Sequence, residues 1–221
     1  MLCDFHTHTF LSDGVLLPME LIRRAHVKGY HAIGISDHAS ASTLHTVIEQ
    51  VARDCELAKK HWGFLAIPGV ELTHIPAASV ASLAAQAKAA GARYVLVHGE
   101  SPVEPVEPGT NRAAAECGDV DGLCHPGLIA EAEAELARQN GVFLEVSARK
   151  GHSLANGHVV QVATATGARL LLGSDAHAPE DLLTPEFALL VLRWAGLSDE
   201  QARHTMENSA AELLRRARTN L

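Results

Sequence analysis

The 221-residue chain has no C-x-x-C pair, no run of 18 uncharged apolar residues and no excess of basic side chains. Its four cysteines, Cys3, Cys55, Cys117 and Cys124, stand 52, 62 and 7 residues apart. That is neither a thiolate metal-site spacing nor a secreted disulfide framework, so reduced thiols are expected. Without a long apolar run there is no candidate membrane helix, and Met1-Leu2-Cys3-Asp4-Phe5-His6 lacks the basic and apolar regions of a secretory leader. The expected location is cytoplasmic, with no membrane partner. Lys and Arg number 18 against 26 Asp and Glu, a formal net charge of −8. Binding along DNA or RNA relies on cationic clusters that displace counterions, so extended nucleic acid is not an expected partner. No P-loop and no dinucleotide G-x-G-x-x-G occurs, which leaves NTP cradling and NAD chemistry without support.

What the chain does have is histidine, 14 residues in all, on a background of 47% hydrophobic and 20% charged residues. That background is an ordinary globular composition, and the length suits one domain over residues 1–221. Five glycines, Gly29, Gly63, Gly91, Gly141 and Gly167, each follow a helical pattern and precede a short apolar run that ends in a polar residue. A glycine in this position supplies the left-handed C-cap of a helix. Apolar runs without alternation suit parallel strands buried on both faces. With the runs at 2–6 and 120–125 there are about seven strands. They are separated by helical patterns near 18–28, 43–61, 77–90, 129–139, 154–166, 185–195 and 199–217. Ser198 and Gln201 have capping-box spacing, so the last helix is expected to start there and pack back on the body.

Strict β-α alternation leaves a closed barrel or an open doubly wound sheet. Ligands gather at one switch point of an open sheet but at many strand ends of a barrel. Nearly all the strand patterns end in His, Asp or Glu, which predicts a distorted (β/α)7 TIM-like barrel. The Pro-rich segment 101–110 after the fourth strand is either a cover for the mouth or a surface connector.

His6-Thr7-His8 places two imidazoles on one face of a strand. Asp13 follows in a Ser-Asp-Gly turn, and His38, Glu71, His98, His125, Asp175 and His177 each stand where a strand pattern ends. Six imidazoles and three carboxylates without thiolate suit Zn, Mn or Fe. Nine donors are enough for two or three ions, and a single catalytic ion would leave half of them idle.

In that order, His6-x-His8, Ser12-Asp13-Gly14, Asp37-His38, Gly69-x-Glu71, His98, His125-Pro126 and Ser174-Asp175-x-His177 closely resemble the PHP (polymerase and histidinol phosphatase) superfamily. The resemblance runs from residue 6 to 177. It implies a distorted (β/α)7 barrel with a trinuclear metal site that hydrolyses phosphoesters by a metal-bridging hydroxide. One ion would sit on His6, His8, Glu71 and Asp175, a second on Glu71, His98 and His125, and a third on Asp13, His38 and His177, with Glu71 bridging. Three carboxylates, three divalent ions and one hydroxide leave a local field near +2, about right to draw in a phosphomonoester dianion. A small phosphorylated substrate is expected, histidinol phosphate among the candidates, with Glu71 and Asp175 as catalytic groups. The sequence does not indicate an oligomeric state.

Arg149, just past the sixth strand, is placed either to clamp a phosphate oxygen or to be merely solvated. Glu145 and Asp37 are candidates for orienting ligand histidines. Lys150, His152 and His158 are weaker candidates, and His74, three residues after Glu71, stays open. His26, His31, His45, His61 and His204 fall away from strand ends and are expected on the surface or in the core. Gly151-His152-Ser153-Leu154-Ala155 lacks the final glycine of a nucleophile elbow. Rival readings are a 3′–5′ exonuclease or nucleotide phosphodiesterase, an amidohydrolase, and a non-enzymatic PHP-like partner of polymerases or RNA–protein assemblies.

Overall fold

A computed structural model describes residues 2–219, so Met1, Asn220 and Leu221 at the ends of the expected domain lie outside the described residues. The chain alternates as the apolar runs require. The strands are β1 (Cys3–Asp4), β2 (Ala32–Ile35), β3 (His38–Ala39), β4 (Leu65–Leu72), β5 (Tyr94–His98), β6 (Gly122–Cys124), β7 (Phe143–Ser147) and β8 (Leu170–Gly173). The helices are α1 (Pro18–Val27), α2 (Leu44–Trp62), α3 (Val80–Ala89), α4 (Thr110–Glu116), α5 (Glu131–Asn140), α6 (Asn156–Thr166), α7 (Pro185–Trp194), α8 (Asp199–His204) and α9 (Ala210–Thr219). Every ladder is parallel, in the order β1-β2-β4-β5-β6-β7-β8, with the short β3 paired to β4 beyond the end of β2. The five helix-stop glycines all have positive φ.

The wall therefore has seven strands and is nearly closed into a TIM-like barrel. At the seam, β1 and β8 have no regular ladder. A bridge of Thr7 with Ala176 spans it, and Asp4 Oδ1 accepts the amides of both His6 (3.1 Å) and Ser174 (3.2 Å). Strand alternation sets what the interior contains. Tyr94, Leu96 and His98 follow one another up β5, and Phe143, Glu145 and Ser147 up β7, each buried. The inner rows are thus apolar at the strand starts and polar at the strand ends. An inner cluster of Cys3, Phe5, Tyr94 and Phe143 is plugged by Leu213 and Leu214 of α9, and the outer strand faces pack against the helices in a second, larger cluster. Among the described residues no helix is long and apolar enough to cross a membrane, and all four cysteines are buried and unpaired.

Three elements differ from the sequence reading. Helix α4 lies where no helix was expected, because seven residues behind a proline-rich stretch carry too few turns for an apolar period to show. The helix expected over 199–217 starts at the Ser198–Gln201 capping box and runs on to Thr219, with a π-turn inside it at Thr205–Ser209. The second strand is interrupted at Ser36–Asp37 and resumes as β3, which puts His38 in register with Glu71.

Candidate metal centre

All nine donors expected from the sequence converge at the C-terminal end of the barrel. The local backbone explains how they are aimed. His125 (φ 28°) and Asp175 (φ 54°), at the ends of β6 and β8, hold left-handed conformations that are rare outside glycine. Such strain persists only where the surroundings impose it, and here it turns both side chains into the mouth.

Glu71 stands at the centre, with no solvent exposure. Its carboxylate lies 3.5 Å from His6 Nε2, 3.7 Å from both His8 Nε2 and His125 Nε2, and 2.8 Å from His38 Nδ1. Asp175 faces it, 3.3 Å from His8 Nε2 and 3.8 Å from His6 Nε2 and His125 Nε2. Three corners surround this pair. His6, His8 and Asp175 form one, His8, Asp13, His38 and His177 a second, and His98, His125 and His152 a third. Within each, one donor atom per residue lies within 4.8 Å of the others.

The donors fit a bound cation. A buried polar atom normally has a hydrogen-bond partner. The buried side-chain atoms that lack one among the described residues are Asp4 Oδ2 and six more, all on His6, His8, Glu71 and His125. Among them His6 Nε2 and His8 Nε2 both face the Glu71 oxygens. Burial and the neighbouring His38 and His6 charges press the His8 pKa well below its usual value, and burial does the same to His125 despite Glu71 nearby. Both rings are therefore neutral and can offer lone pairs. Burial would raise the Glu71 carboxyl, but His6 and His38 hold it well below the usual range. Asp175 is pushed up to about 7 by burial.

Some groups serve the ligands without joining them. Glu145 accepts from His6 Nδ1 at 2.5 Å and from the His125 amide at 2.8 Å, so one carboxylate fixes two donors. It is the orienting residue the sequence suggested. Gly173 makes room for it, since a Cβ there would strike both Glu145 and His6. Cys124 also lies beside His6, but burial holds its thiol protonated, so it offers no thiolate. Asp37 does not play the role considered for it. It touches no ring of the site, and instead accepts from Thr9 N (2.6 Å), Thr9 Oγ1 (2.7 Å) and Ser12 Oγ (2.7 Å), clamping the turn that carries Asp13.

The grouping differs from the expected ligand sets in two respects. His8 belongs to the Asp13 corner as well as to the His6 corner, and His98 gathers with His125 and His152 rather than with Glu71. Periodicity could not single out His152, because it lies in a one-turn helix after β7 rather than at a strand end. Arg149 is drawn in, its Nη1 3.0 Å from the Asp175 carbonyl and 2.8 Å from His177 Nδ1. With Lys150, His177, Leu182, Leu183 and Phe187 it lines a cavity of about 510 Å³ beside the exposed Asp13 corner. His158 donates to the Ile129 carbonyl and serves the fold, and exposed His74 stacks on His98 at 5.7 Å. His31, His45, His61 and His204 are exposed, and His26 stacks on Phe64.

Glu145→Gln should leave the fold intact and weaken metal binding about 10- to 100-fold, because the amide cannot accept from both His6 and the His125 amide. Calorimetric titration of metal-free protein with Mn2+ checks this, and unchanged affinity would show that His6 is oriented without Glu145.

No protein-family model matches the chain. An uncharacterized protein of Methanocaldococcus jannaschii is 46% identical over 214 residues, covering 96% of this chain and 98% of that protein. A 5′-3′ exoribonuclease of Haemophilus influenzae is 34% identical over 70 residues, which is 32% of this chain and 23% of that enzyme. Among solved structures, a chain of archaeal ribonuclease P with mature tRNA superposes with TM-score 0.69 at 17% identity, covering 97% of this chain and 90% of that one. A chain from the metal-dependent tyrosine phosphatases of Bacillus subtilis and Streptococcus pneumoniae gives 0.65 at 18%, covering 97% and 95%. An amidohydrolase gives 0.63 at 13%, covering 97% of this chain but 74% of that one. At these identities the likeness is one of fold.

Proposed function

The chain belongs to one family with the Methanocaldococcus jannaschii protein and has the PHP-like barrel of the metal-dependent phosphatases, and from that premise we propose that it is a metal-dependent phosphoesterase. The observation that carries this reading is that His6 Nε2, His8 Nε2 and the Glu71 carboxylate, all buried, face one another at 3.5–3.7 Å with no hydrogen bond between them. We further propose two or three divalent ions of the Zn, Mn or Fe kind, a small phosphomonoester as substrate, and a cytoplasmic location.

His6, His8, Glu71 and Asp175 would hold one ion, His98 and His125 a second, and Asp13, His38 and His177 a third, with Glu71 shared. Such ions supply an activated water and Lewis-acid polarisation of the phosphoryl oxygens. The chain does the rest. Glu145 locks the ring of His6, and the Thr73 hydroxyl holds His38 Nδ1 at 2.6 Å, which leaves Nε2 directed at Asp13. Arg149 is tethered through Nη1, so its remaining N–H groups can bind a non-bridging phosphoryl oxygen without first being ordered. The neighbouring cavity is lined by Lys150, Glu180 and Asp181 together with Leu182, Leu183 and Phe187, a mixed surface that can take the polar leaving group of a small monoester.

The local likeness to the exoribonuclease favours one second reading, the same chemistry on a nucleotide or nucleic-acid end. The amidohydrolase rival is weaker, because the barrel matches the phosphatase chain almost end to end and the amidohydrolase over three quarters of its length. Metal-reconstituted protein assayed against phosphomonoesters including histidinol phosphate, phosphodiesters, short RNAs and acylated amino acids separates these. Turnover of monoesters is expected. Absence of ester hydrolysis together with less than one ion per chain would sink the reading.

A further inference from the structure

The proline-rich segment after β5 settles over the third corner of the site rather than running across an outer surface. Ser101 Oγ bonds His152 Nδ1 at 2.6 Å, and Glu104 then reaches inward, with Oε2 2.8 Å from His98 Nε2 and Oε1 3.5 Å from His152 Nε2. Neither Glu104 nor His152 is among the nine donors of the motif series.

The tautomer of His98 shows what this contact needs. Its Nδ1 lies 3.1 Å from the Gly99 carbonyl, which can only accept, so Nδ1 carries the hydrogen and Nε2 of the neutral ring presents a lone pair. That lone pair faces a carboxylate oxygen. Two lone pairs at 2.8 Å are stable only with a cation between them, a proton or a metal ion. Ligands at 2.0–2.2 Å around a tetrahedral ion stand about 3.3 Å apart, and the 2.8 and 3.5 Å spacings bracket that value. The three rings are 1–3% exposed, and His125 Nδ1 has no hydrogen-bond partner. His152 Nε2 faces the other oxygen of the same carboxylate, and donor atoms of His98, His125 and His152 lie within 4.8 Å of one another, so an ion placed there is within reach of all three rings, where a proton joins only one pair.

Resting on the proposed function, we propose that Glu104 and His152 are two further ligands of the ion at His98 and His125, and that Glu104 is the exchangeable one. Its side chain is 40% exposed, and it rides on a loop rather than a strand. It can therefore leave when a phosphate oxygen takes its place, whereas buried His152 stays.

The test is calorimetric titration of metal-free wild-type, Glu104→Gln and His152→Asn proteins with Co2+, read also by visible absorption, followed by inorganic phosphate. In both variants one equivalent of Co2+ is expected to bind about 10- to 100-fold more weakly and the others unchanged. The cobalt bands should shift, and phosphate should bind more tightly to loaded Glu104→Gln than to loaded wild type. Full Co2+ affinity at every site in both variants, with unaltered bands, overturns this inference alone. Failure of the wild-type protein to bind Co2+ overturns the proposed function with it. Thermal unfolding of the metal-free variants serves as the control that both are folded.

Discussion

Glu71→Ala is expected to keep the fold and to lose on the order of 10³-fold or more of metal-dependent turnover. Glu71 is surrounded by four donors from three parts of the wall, His6 and His8 after β1, His38 on β3 and His125 after β6, all within 3.7 Å of its oxygens. Removing it takes away a fully buried carboxylate that donors of all three corners approach. The fold should survive, because every histidine facing the vacated space can become neutral and none is left as an unpaired buried charge. The check is kcat/KM on whichever ester the screen identifies, together with bound metal per chain and circular dichroism. The expected outcome is intact secondary structure with at least one ion lost. Wild-type turnover in Glu71→Ala would exclude the shared role.

The barrel and most of this site were legible in the sequence because both follow from strand ends. A parallel strand buried on both faces shows as an apolar run. A glycine in front of it marks the helix stop, and the polar residue behind it marks the mouth, as in Gly91 to His98 or Gly167 to Asp175. What was not legible depends on long-range closure. His152 sits in a one-turn helix and Glu104 on a loop, brought together by the Ser101–His152 contact across 51 residues, with no period to announce either. Asp37 has the sequence position of a histidine orienter, but its oxygens are fully taken by Thr9 and Ser12, 28 and 25 residues distant. Glu145 could be suspected from strand register alone, since Phe143, Glu145 and Ser147 share the inner face of β7. The high histidine count likewise divides only in three dimensions, into seven rings at the mouth and others spread over the surface and outer core.

Tyr94→Ala is expected to cost about 3–5 kcal/mol of stability, the largest effect of any single truncation below the metal centre. The ring is completely buried in the barrel, meets Phe5 edge-on at 5.4 Å, and donates its hydroxyl to the Phe5 carbonyl at 2.8 Å. Gly34 and Gly69 exist to clear its path, since a Cβ at either would overlap the ring or its oxygen. Gly69→Ala alone should therefore cost about 1–3 kcal/mol by overpacking. The two changes should not add. In the Tyr94→Ala background the methyl group at position 69 fills part of the vacated space, so its penalty should vanish or reverse. Urea unfolding of the two single variants and the double variant measures this coupling. An equal cost for Gly69→Ala in both backgrounds would show that the ring is not what the glycine accommodates. Tyr94→Phe removes only the hydroxyl and leaves the Phe5 carbonyl without that donor, at about 1–2 kcal/mol. Because the ring lies beneath Leu96 and His98 on β5 rather than among the donors, Tyr94→Phe should bind metal as wild type does, and a loss of affinity there would mean that the apolar base of the barrel and its polar mouth move as one unit.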